Sequence, residues 1–242
     1  MMIDVFSYLH IKKKKLQQKL PCEDYSITYQ DDDKTIAIIS DGHGDRRCFR
    51  ANYGSKFACY AALEILKPIS DFSDDNLRNL SNQILDRWRY QVMKHYHTQS
   101  KTDYDDNIYL IYGATLSIII LTNNKMILMN IGDSKCMALF ENNQFVSMIK
   151  NKSITPKSLS DPKIKMDIYL VRQLPKAIMF TSDGGSSFED ESEFVKKVEN
   201  LYLTDRIKFH NNMLGLVDYF SSDDDVSMIW IYRQPGGENS EG

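Results

Sequence analysis

With 242 residues, 42% hydrophobic and 26% charged, the chain has an ordinary globular composition and is long enough to bury a sizeable core. Its formal net charge of −3 argues against nucleic acid as a principal partner. Four scattered cysteines (Cys22, Cys48, Cys59, Cys136) form neither a CxxC pair nor a zinc spacing, which points to free thiols in a reducing, cytoplasmic compartment and against a disulfide framework.

In chain order, "DVFSYL" reads as a first strand and is followed by the basic run "KKKK" (12–15). Apolar before basic is the reverse of a signal peptide, and the lysines read as a solvated strand or loop edge. "YSITYQ" and "TIAIIS" are strands joined by the turn cluster "DDDK". Two helical stretches come next, "ANYGSKFACYAALEIL" and "DDNLRNLSNQILDRWRYQVMKHY". In the first, Phe57, Tyr60, Ala61 and Ile65 recur at helical spacing; Ser73 supplies an N-cap for the second.

"IYLIYGATLSIIIL" is the longest apolar segment, but it falls short of the roughly 20 residues of a membrane span and is rich in β-branched residues. It reads as a buried strand with its approach. "TLSIIIL" and "KMILMNI", then "CMALFE" and "QFVSMI", meet at polar turns and predict consecutive antiparallel hairpins. The segment 151–173 reads as a surface loop, "AIMFTS" as a strand, "EDESEFVKKVEN" and "DRIKFHNNMLGLVDYF" as a second helix pair, and "VSMIWIY" as the last strand. No linker divides the chain, so one domain over 1–234 with a polar tail at 235–242 is expected, an α+β sandwich with helices packed on antiparallel sheets.

Acids stand at the ends of these strands. "TIAIIS" runs into Asp41-Gly42 and "AIMFTS" into Asp183-Gly184, both as Ser-Asp-Gly. "MILMNI" ends at Gly132-Asp133, Glu23-Asp24 opens "YSITYQ", and "SSDDD" leads into the final strand. Each cluster alone is ordinary turn chemistry. If all five meet, they hold more negative charge than bare carboxylates tolerate, and hard divalent cations such as Mg²⁺ or Mn²⁺ are the natural compensation.

In this order "EDYS", "SDGHGD", "YGATLSIIIL", "NIGDSK", "FTSDGGSS" and "DDDVSMI" resemble the metal-dependent protein phosphatases of the PPM family, the protein phosphatase 2C type, along nearly the whole chain. The resemblance implies a four-layer α-β-β-α sandwich, two antiparallel sheets flanked by helix pairs, with a binuclear metal centre at one end. Asp41 would bridge two Mn²⁺ or Mg²⁺ ions, the Gly42 carbonyl and Glu23 would serve one, Asp183 and Asp224 the other, and Asp24 would steady the water shell. A hydroxide between the metals would attack phosphorus in line, with His43 as general acid to the departing seryl or threonyl oxygen. Asp41 and His43 are then the catalytic residues, and phosphoserine and phosphothreonine proteins the substrates of a monomeric, soluble enzyme that needs no nucleic acid or membrane.

Four departures from the family pattern stand out. Where many members carry a phosphate-gripping arginine, four residues before the Glu, this chain has Lys19, which lacks the guanidinium fork. The final motif reads Asp224-Asp225 in place of Asp-Asn. Ser187 stands where some members place a third-metal acid, with Asp105 or Asp106 as distant substitutes, so a third metal is not expected. The segment from Asn151 to Gln173 is short where many members carry a flap. Lys19 and Asp225 also support the alternative of a pseudophosphatase that docks phosphoproteins without turnover. The acids match no EF-hand loop, and neither a GxxxxGK[ST] stretch nor a Cys-x₅-Arg loop occurs.

Overall fold

The computed structural model describes residues 2–99, 107–149, 157–185, 190–220 and 224–234. Two five-stranded antiparallel sheets form the centre. The first runs β2 (Tyr25–Gln30), β3 (Lys34–Ser40), β4 (Leu116–Thr122), β5 (Met126–Ile131) and β8 (Asp167–Val171). The second runs β1 (Ile3–His10), β10 (Val226–Arg233), β9 (Ala177–Thr181), β6 (Lys135–Leu139) and β7 (Phe145–Ser147). The first and last strands pair in this second sheet, Ile3 with Arg233.

The central strands are apolar at nearly every position because both of their faces are covered. Successive side chains point to opposite faces. Ile36 and Ile38 of β3, with Ile118 and Ile120 of β4, pack beneath α2 (Ala51–Leu66) and α3 (Asp74–Thr98). Their neighbours Ala37, Ile39, Ile119 and Leu121 turn inward against Ile178, Phe180, Ile229 and Ile231 of the other sheet. On the far side, Met228, Trp230 and Tyr232 meet Val195, Val198, Phe209 and Met213 of α5 (Glu191–Thr204) and α6 (Arg206–Phe220). Three cores thus separate four layers, α-β-β-α.

Trp88 fixes the first helix pair: its indole Nε1 donates to the Gly54 carbonyl at 3.0 Å. Gly54 has to be glycine, since a Cβ there would stand 2.0 Å from the Tyr112 carbonyl. Through this contact α2 rests directly on the backbone that leads into Gly113 and β4.

Four sequence expectations change. A strand, β8, lies within the segment read as a loop and extends the first sheet. The lysine run forms a short helix, α1 (Lys13–Gln17), because the chain must turn back from β1 to reach β2. Ser73 does not cap α3 with its side chain; its hydroxyl donates to Asp71 instead, at 3.1 Å. The start of the apolar segment also coils into α4 (Ile108–Ile111) before the strand begins. Asp105, Asp106, Ser187, Asp223 and the tail at 235–242 lie outside the described residues, as do 151–156. No helix among the described residues is long and apolar enough to cross a membrane.

Candidate active site

Antiparallel register gathers the acids. Tyr25 at the start of β2 pairs with Ser40 at the end of β3, so Glu23-Asp24 lies beside Asp41-Gly42. At the end of β9, the Ser182 amide donates to the Ser227 carbonyl at 3.0 Å, which sets Asp183-Gly184 beside Asp224-Asp225. Both glycines sit against backbone. The Gly42 amide donates to the Glu23 carbonyl at 3.1 Å. A Cβ on Gly42 would fall 2.7 Å from that same oxygen, and one on Gly184 would fall 2.2 Å from the Asp225 carbonyl. A side chain at either position would drive the paired acidic segments apart.

The two sheets are joined at this end by polar contacts. Ser182 Oγ donates to Asp24 Oδ2 at 2.7 Å and accepts from the Ser227 amide at 3.0 Å. The Glu23 amide donates to Asp225 Oδ2 at 2.9 Å. Thr115 braces Asp41, its Oγ1 accepting from the Asp41 amide at 3.0 Å and its own amide donating to the Asp41 carbonyl at 2.8 Å.

Asp41 lies within hydrogen-bonding reach of both Asp24 and Asp183. Burial, followed by the charges of Asp24 and Asp183, pushes the Asp41 carboxyl well above the usual carboxylate range. Burial likewise raises Asp24 to about 6, although the Ser182 hydroxyl works against it. Asp133 is raised by burial and by the nearby Asp183. Three carboxyl groups in contact need protons or cations between them. Asp183 Oδ1 meanwhile is buried with no hydrogen-bond partner. An orphaned acceptor inside an acidic cluster fits a hard cation, so the donor set suits Mg²⁺ or Mn²⁺.

The remaining predicted residues are distributed unevenly. His43 is half-buried; its amide donates to the Gly113 carbonyl at 3.0 Å. Burial lowers its imidazole pKa, while Asp183 and Asp45 act in the opposite direction. Asp224 is exposed, with Oδ1 accepting from the Asp225 amide at 2.9 Å. Glu23 Oε2 is held by Lys15 Nζ at 2.6 Å. Lys19 is exposed just beyond α1, with φ 54°. Among the described residues no three His, Cys, Asp or Glu side chains are arranged as a finished metal cage. Asp24, Asp41 and Asp183 stand together; Glu23 and Asp225 are tied to a lysine.

The protein phosphatase 2C family profile matches residues 12–214. The chain belongs to that family. Membership makes it a protein serine/threonine phosphatase. No curated protein sequence matches it. Among solved structures it is similar to the serine/threonine phosphatase Stp1 from Staphylococcus aureus, with TM-score 0.72, 14% identity, and coverage of 97% of this chain and 96% of that one. The catalytic domain of the serine/threonine protein phosphatase PstP, in complex with two manganese ions, gives TM-score 0.66 at 13% identity, covering 95% and 97%. RsbX in complex with magnesium gives TM-score 0.64 at 15% identity, covering 95% and 94%. At such identities the likeness establishes the four-layer fold.

Sequence reading missed three residues that join this acidic cluster. Ser182 carried a signal, because it repeats the Ser40 position of the other Ser-Asp-Gly turn. Thr115 and Lys15 carried none. A threonine in an apolar strand and one lysine among four acquire a role only once the chain has folded.

Proposed function

We propose that this phosphatase is metal-dependent and holds two divalent cations, Mn²⁺ or Mg²⁺, at the acidic end of the sandwich. Asp41, Asp183, Asp224, Glu23 and the Gly42 carbonyl would hold them, with Asp24 behind. The supporting observation is the contact of Asp24, Asp41 and Asp183 around the unpartnered Asp183 Oδ1. When bound, such ions lower the pKa of water and neutralise charge developing on the phosphoryl oxygens.

The chain's own groups do the rest. Thr115 and Ser182 hold Asp41 and Asp24 in place before substrate arrives, so little reorganisation is needed. His43 would present a ring N–H to the departing seryl or threonyl oxygen. Lys19, at the solvent edge, is the candidate contact for substrate phosphate. Residues 1–234 act as one domain, in keeping with the pairing of first and last strands. Its four free cysteines accord with a reducing, cytoplasmic setting, and a monomer is expected.

Hydrolysis of p-nitrophenyl phosphate and of a phosphothreonine peptide, measured with Mn²⁺ or Mg²⁺ and with EDTA, tests this reading. Turnover should need the metal and be lost in Asp41→Asn and Asp183→Asn. His43→Ala should slow the peptide more than p-nitrophenyl phosphate, whose phenolate leaves readily. Turnover indifferent to EDTA would reject the mechanism, and metal binding without turnover would favour a docking module.

A further inference from the structure

One cation is already built into the acidic end. Lys15 Nζ lies 2.6 Å from Glu23 Oε2 and 2.6 Å from Asp225 Oδ2. The Asp225 side chain is buried, and its carboxylate accepts from Lys15 Nζ, from the Lys12 amide at 2.9 Å and from the Glu23 amide at 2.9 Å. Asp225 is thus tied to the lysine and two backbone amides. Glu23, by contrast, offers one oxygen to Lys15 and is also an expected metal ligand.

We propose that Lys15 is a positioning residue that sets the cation affinity of the Glu23 side of the centre, by cancelling the charge that Asp225 adds and by competing for Glu23. The proposal rests on the metal-dependent reading above. Its physical basis is that an ammonium in contact with two partly buried carboxylates removes much of the field that would otherwise draw in a divalent ion. An acid at position 225 would, uncompensated, overcharge the site; the lysine that offsets it comes from α1, a helix remote in sequence from β10.

The test is calorimetric titration of the full chain with Mn²⁺ at pH 8, together with melting in EDTA and in Mn²⁺. Lys15→Met should bind Mn²⁺ about tenfold more tightly and show a larger metal-induced rise in melting temperature. Lys15→Arg, which keeps the charge, should stay near wild type. Lys15→Met combined with Asp225→Asn removes one charge of each sign and should return affinity toward wild type; Asp225→Asn alone, which leaves the lysine's charge in excess, should weaken Mn²⁺ binding and serves if Lys15→Met folds poorly. A merely structural lysine would alter melting in EDTA without moving the affinity. Wild-type binding of Mn²⁺ that Lys15→Met, or Asp225→Asn where Lys15→Met does not fold, leaves within twofold would overturn this inference alone. Absence of Mn²⁺ binding by wild type would overturn the metal reading and this inference with it.

Discussion

Ser182 and Asp24 are 158 positions apart in the chain and 2.7 Å apart in the fold, hydroxyl to carboxylate. Because Ser182 also receives the Ser227 amide, one hydroxyl links the mouth of the second sheet to the acid that precedes the first. Removing it would leave the buried Asp24 carboxylate short of a donor. Ser182→Ala should cost about 1–3 kcal/mol of stability, read as a lower melting temperature, and should lower phosphatase turnover with it.

Gly184 gives a backbone counterpart. With a Cβ only 2.2 Å from the Asp225 carbonyl, Gly184→Ala must push the Asp183 turn away from the start of β10. The expected result is a protein with near-native circular dichroism, a lowered melting temperature and at least roughly tenfold weaker metal-dependent activity, since misplacement on the ångström scale is costly in catalysis. Gly215→Ala, where an added Cβ meets nothing within 4 Å, is the matched control and should behave as wild type.

A buried like-charge cluster is a cost to stability. Asp24, Asp41 and Asp183 repel one another when ionised, so chelation should destabilise the fold and added Mn²⁺ should restore it. Asp41→Asn removes one ionisable carboxyl from this set, and with it the cost of either charging or protonating it there. In EDTA at neutral pH the variant should melt higher than wild type, while losing the stabilisation by Mn²⁺ and the activity. A variant that melts lower in EDTA would contradict the crowding of charge at Asp41.

The cysteines offer a check on the cores. Cys59 and Cys136 are fully buried, and burial pushes both thiols well above their ordinary range. Since only the thiolate reacts, a raised pKa means slower reaction at a given pH. At pH 8 the native protein should leave both unlabelled by Ellman's reagent, and urea should expose all four cysteines of the chain.

Local pattern along the chain was enough to specify the layers. Strands such as "TIAIIS" and "TLSIIIL" are apolar at consecutive positions, which only a strand covered on both faces allows, and the paired helices supplied the covers. It also carried the repeated Ser-Asp-Gly turns and the acids at strand ends, because those signals are local in the chain. An edge strand such as β8 escaped notice, as its half-exposed residues carry little apolar pattern. Which acids touch was decided only by tertiary structure: Asp41 meets Asp24 and Asp183, whereas Asp225 meets Lys15 and leaves Asp224 exposed. The reason is physical. Charge couples groups through space over a few ångströms, and the lysine among four that faces the acids is chosen by how α1 seats between β1 and β2, not by its neighbours in the run.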